Sequence, residues 1–127
     1  MTEDALITHT DFVFLPITSF ERAEAFYTGV LGLPLSKRYR GGIGGELETG
    51  NLTILLLDTA KIGREFAPSK GAVALRVDDV EAARATLEGR GVEFQGEIID
   101  SGVCHQAIFV DPAGNSLGLH HRYAPKD

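Results

Sequence analysis

The sequence has one cysteine, Cys104, among its 127 residues. A single thiol excludes a disulfide framework within the chain, and the expected setting is the reducing cytoplasm. Also missing is any run of the roughly 18 apolar residues that crossing a bilayer requires. No apolar signal-peptide core is found either, so a membrane partner is not expected. Basic charge is scarce: 12 Lys and Arg stand against 18 Asp and Glu, a formal net charge of −6. Phosphate contacts need clustered Lys and Arg, and this excludes nucleic acid as a partner. The glycine run at residues 41–45 lacks the Lys-Ser/Thr that follows a phosphate loop, and it fails the G-x-G-x-x-G spacing. It reads as a flexible turn.

What the chain does contain is an internal echo. Residues 12–29 align with residues 72–89 at a constant offset of 60. Val13/Val73, Leu15/Leu75, Glu21/Glu81, Ala23/Ala83, Ala25/Ala85 and Gly29/Gly89 are identical across that offset. One such period in a chain of this length means two copies of a supersecondary unit, not a solenoid. Each copy begins with alternation of period two, Val13, Leu15 and Ile17 in the first and Val73, Leu75 and Val77 in the second, as a strand with one packed face requires. A helix follows in each, with Ser19 and Asp79 placed as N-caps. Gly32 with Pro34 stops the first and Gly91 the second. Short strand-like runs then occupy about 35–40, 46–49 and 52–57, and about 92–98, 103–110 and 116–121. Gly-, Asp- and Asn-rich turns separate them. The expectation is an α+β fold of two βαβββ modules forming a curved mixed sheet with a cleft. It makes one domain over 1–127: module one at about 7–58, a connection at 59–71 and module two at about 72–122. The connection is long and reads as a lid or a dimer contact.

Residues 11–33, DFVFLPITSFERAEAFYTGVLGL, and the later FVDPAGN of residues 109–115 resemble the vicinal oxygen chelate superfamily. That superfamily includes glyoxalase I, bleomycin-resistance proteins and extradiol dioxygenases, and the resemblance covers about residues 7–122. It implies metal ligands at the start of each module's first strand and three residues beyond the Asn of the Asp-Pro-x-Gly-Asn turn. Here those positions hold Phe12, Ala72 and Gly118. A further carboxylate used by glyoxalase I would fall on the last strand of module one, which reads LTILLL and has no acid before Asp58. Benzyl, methyl and hydrogen cannot ligate zinc, nickel or iron, so no metal and no other cofactor is expected. Neighbouring His120 and His121 point to opposite faces of a strand, as do Cys104 and His105, so neither pair can share one ion. The same parity excludes a Cys-His nucleophile pair at 104 and 105.

Counting by two from the replaced ligand positions gives the side chains that face the cleft: Phe12, Phe14 and Pro16; Ala72, Ala74 and Arg76; Ser116, Gly118 and His120. Two phenyl rings, several very small residues and a few polar tips describe a pocket for a flat or apolar small molecule. The alternative is that Phe12 and Phe14 fill the space and leave a packed sheet. The expected function is metal-independent binding or sequestration of a small aromatic or amphipathic molecule, of the bleomycin-resistance kind. Phe12 and Phe14 would bury it and Arg76, His120 or Tyr39 would anchor it. The alternatives are an enzyme, either a metal-free lyase or isomerase using His120 or Glu48 as acid or base or a glyoxalase or dioxygenase relative whose ligands lie in another register, and a degenerate fold kept for partner interactions. A homodimer is expected, because an open curved sheet leaves edges and an apolar face to be covered.

Overall fold

The alternation in FVFLPI and the parallel partner it finds position everything else. In a computed structural model describing residues 5–126, β1 (Phe12–Ile17) pairs in parallel with β4 (Thr53–Asp58), Phe12 opposite Thr53 and Pro16 opposite Leu57. Antiparallel β3 (Gly44–Glu48) and β2 (Leu35–Arg38) continue the sheet in the order β1-β4-β3-β2. Module two repeats this with β5 (Val73–Arg76), β8 (Ser116–Arg122), β7 (Cys104–Val110) and β6 (Phe94–Asp100), in the order β5-β8-β7-β6. The two expected modules are present. Each forms a four-stranded sheet of its own, with β1 and β5 as edge strands.

Both helices start at the expected caps. Ser19 accepts from the Arg22 N–H at 3.2 Å and Asp79 from the Ala82 N–H at 3.0 Å, each satisfying one of the donors that a first turn leaves free. In module two, α2 (Val80–Glu88) is regular, and Gly91 at φ +94° turns the chain back so that the Val92 N–H reaches the Leu87 carbonyl. In module one the α-helix α1 covers only Phe20–Glu24 and continues as a π-helical stretch over Ala25–Val30. The wider turn lets Phe26 and Tyr27 both reach module two: Phe26 packs 6.3 Å from Phe109, and Tyr27 is wholly buried.

One core joins the modules. Leu15, Ile17, Leu47, Ile54 and Leu56 from the first sheet meet Ala107, Phe109, Leu117 and Leu119 from the second, all of them buried. Polar groups fasten that junction. The Tyr27 hydroxyl donates to Asp111 Oδ2 at 2.6 Å, and Asn115 Nδ2 donates to the Pro16 carbonyl at 2.6 Å. Asp111 Oδ1 accepts from the Ala113 and Asn115 N–H groups, so the whole Asp-Pro-Ala-Gly-Asn turn is satisfied inside the protein. Burial, with the Asp111 carboxylate beside it, pushes the Tyr27 phenol far above its ordinary pKa.

Candidate functional site

The face of each sheet turned away from the helices is open. In module one the strand register builds it in rows: Phe12, Thr53 and Glu48; Phe14, Leu55 and Glu46; Pro16, Leu57 and Gly44. The first two rows run from an apolar edge on β1 to a carboxylate on β3, and the third ends at Gly44. Phe12 and Phe14 keep 51% and 44% of their surface exposed, so they do not fill the face. With Pro16, Leu55 and Leu57 they floor a cavity of about 500 Å³. The wall is the connection between the modules, through Thr59, Ile62, Arg64, Glu65 and Ala67. That connection, expected as a lid or a dimer contact, is held at both ends. A 3-10 turn at Thr59–Ile62 closes with the Arg64 N–H on the Thr59 carbonyl (2.9 Å), and Ser69 bonds Asn115 through its N–H (2.7 Å).

The polar side of the same face is organised. Glu48 accepts from the Ser36 hydroxyl at 2.6 Å and the Thr53 hydroxyl at 2.8 Å, which together hold its carboxyl below the usual range. Tyr39 donates its hydroxyl to Glu46. Burial first, and then that hydrogen bond, push the Tyr39 phenol up to about 12. Tyr39 thus stands on the polar side of module one's face and is not part of the cavity lining.

The remaining expected residues lie on module two. Ala72 and Ala74 are exposed at the β5 edge, Ala74 opposite Gly118 and Arg76 opposite His120. Gly118 is buried: a Cβ there would lie 3.2 Å from Ile108 Cδ1, so the room read into that glycine is occupied by a side chain from β7. Arg76 and His120 line a second cavity, of about 430 Å³, with Cys104, Arg122 and Lys126. Within this chain the structure therefore brings Phe12 to Phe14 and Arg76 to His120, in separate cavities. Leu55 and Leu57 were missed because β4 is apolar on both faces and shows no alternation. Arg122 was missed because it lies at the end of its strand.

The ligand set that the resemblance implies is not supplied by the residues present. Phe12, Ala72 and Gly118 offer no donor atom, and among the described residues no group of three or more His, Cys, Asp or Glu is arranged to hold a metal ion. One histidine relationship was invisible in the sequence: His105 stands opposite His121 across β7 and β8, on the helix side of the sheet.

Residues 7–119 match the model of the glyoxalase/bleomycin resistance protein/dioxygenase superfamily. Among curated proteins, none matches this chain. Among solved structures, the chain is 28% identical to TnmS3, an antibiotic-binding protein from Streptomyces, with a TM-score of 0.76 over 93% of this chain and 98% of that one. A glyoxalase/bleomycin resistance protein from Streptomyces is 30% identical, with a TM-score of 0.68 over 88% of this chain and 100% of that one. Lactoylglutathione lyase from Agrobacterium tumefaciens shares the fold at 21% identity, with a TM-score of 0.75 over 91% of this chain and 95% of that one.

Proposed function

Since the chain belongs to the glyoxalase/bleomycin resistance protein/dioxygenase superfamily, we propose that it binds and sequesters a small aromatic or amphipathic molecule without a metal ion. The observation that carries this reading is the pair of half-exposed rings, Phe12 and Phe14, on the aliphatic floor of the 500 Å³ cavity. A cavity of that size suits a small organic ligand, and exposed aromatic area is what such a ligand would bury. Arg64 and Glu65 on the wall supply polar contacts at its rim. The antibiotic-binding neighbour supports the same reading, whereas the likeness to the lyase speaks for the fold alone. Glu48, expected as a candidate base, does not line this cavity and is held ionised by Ser36 and Thr53, which weakens it as a proton acceptor near neutral pH. No helix among the described residues is long and apolar enough to cross a membrane, and the unpaired Cys104 supports a cytoplasmic location.

The test is equilibrium titration with a panel of planar aromatic compounds, beside metal analysis of protein expressed in zinc-, nickel- and iron-supplemented medium. Phe12→Ala is expected to weaken the best binder by about 1–3 kcal/mol, the scale of a lost aromatic contact. Because Phe12 is half-exposed, the melting temperature should hardly move. Near one equivalent of metal per chain, lost to a chelator together with an activity, would overturn the reading.

A further inference from the structure

We propose that the open face of module two is an oxyanion site, taking a carboxylate or phosphate group on Arg76, His120 and Arg122. The strands place these groups together. Arg76 is opposite His120 across β5 and β8, and Arg122 lies two residues beyond His120, on the same face. Lys126 adds a fourth basic side chain at the cavity rim. Among the described residues the lining contains no carboxylate, in a chain whose acidic residues outnumber its basic ones by 18 to 12.

Among the described residues none of these basic groups has an ion-pair partner: the salt bridges use Arg38, Arg84 and His105 instead. Arg122 donates one hydrogen bond, from Nη2 to the Pro125 carbonyl at 3.2 Å, while its Nε is buried with no acceptor. An unsatisfied buried donor costs free energy, and the Arg76, Arg122 and Lys126 cations that line one cavity repel one another. An anion in the cavity relieves that repulsion. A guanidinium offers paired N–H donors that match the two oxygens of a carboxylate or phosphate. The cavity, about 430 Å³, admits such a group with a small organic body attached. The site shares no lining residue with the Phe12/Phe14 cavity and stands whether or not that cavity binds an aromatic molecule.

The experiment titrates the protein with inorganic phosphate and, separately, with acetate. Ionic strength is held constant with chloride, and backbone amide shifts by NMR are followed together with thermal melts. At least one of the two anions is expected to move the Arg76, His120 and Arg122 resonances saturably and to raise the melting temperature above the chloride control. Which anion binds more tightly identifies the group. Arg76→Gln, an exposed substitution that removes repulsion, should melt no lower than wild type in chloride yet lose at least tenfold in anion affinity. Phe12→Ala should bind the anion as wild type does. Shifts no larger than with chloride, or affinity unchanged in both Arg76→Gln and Arg122→Gln, would overturn the assignment.

Discussion

Phe12 and Phe14 were legible in the sequence because β1 alternates, and alternation alone determines which side of a sheet a side chain takes. Gly118 was read by the same parity onto the correct face, but its surroundings were not legible, since they depend on Ile108 one strand away. The two small residues therefore call for opposite outcomes. Gly118→Leu forces a side chain against Ile108 and should destabilise the fold by about 1–3 kcal/mol. Ala74→Trp adds a ring to an exposed edge position and should leave the melting temperature near wild type. Comparing the two melts checks this, and equal losses would contradict it. Tyr39 gives a second prediction at this scale. Its phenol, pushed up to about 12 from an ordinary value near 10, is favoured by the fold in its protonated form. The pH-dependent stability tied to this phenol, from its burial first and then the Glu46 bond, is thus complete below about pH 10 and fades as pH rises through about 12. Ultraviolet phenolate titration should show a phase near pH 12 that Tyr39→Phe removes; a Tyr39 phase near pH 10 would refute the assignment.

At the scale of elements, strand and helix positions were readable within a few residues because caps, glycine stops and turn residues mark them. Two local features were not. The π-helical stretch at Ala25–Val30 arises from what Phe26 and Tyr27 must reach in module two, which no local spacing records. The glycine run looked like a flexible turn, and only part of it is one. Gly41 and Gly42 do take left-handed φ values, +71° and +67°, in the turn after β2. Gly44 and Gly45, however, are buried in β3. A Cβ at Gly44 would stand 2.0 Å from the Leu56 carbonyl oxygen, and one at Gly45 would stand 2.6 Å from that of Lys37. These are backbone atoms of the neighbouring strands and cannot step aside as a side-chain tip can. Gly44→Ala should accordingly separate β3 from β4 and cost at least about 3 kcal/mol, at the upper end for overpacking. Gly41→Ala strains only its own backbone and should cost about 1 kcal/mol. Urea midpoints of the two variants measure the difference, and a Gly44→Ala protein as stable as Gly41→Ala would show that the strands are not so closely packed.

For the whole molecule, the duplicated sequence carried the architecture: two modules, each closing its own sheet, joined through Tyr27, Asp111, Asn115 and the aromatic core. The division of the expected cleft into two cavities was not legible, because parity places residues on faces without saying how two faces are set relative to each other. That division bears on assembly. Among the described residues β1 and β5 each have one strand neighbour and one free edge, and the face beside β1 exposes Phe12 and Phe14. A free edge next to half-exposed aromatic area is a surface that a second copy would cover. The expected assembly is therefore a homodimer. Light scattering at tens of micromolar, where an interface of standard size holds, should return about twice the 13.7 kDa of one chain. Phe14→Glu, which puts a charge on the covered face without touching the core, should shift the protein to monomer and abolish aromatic binding together. A wild-type monomer at that concentration would leave the connection at residues 59–67 as the sole cover of the cavity, and Phe14→Glu would then lower affinity with no change in mass.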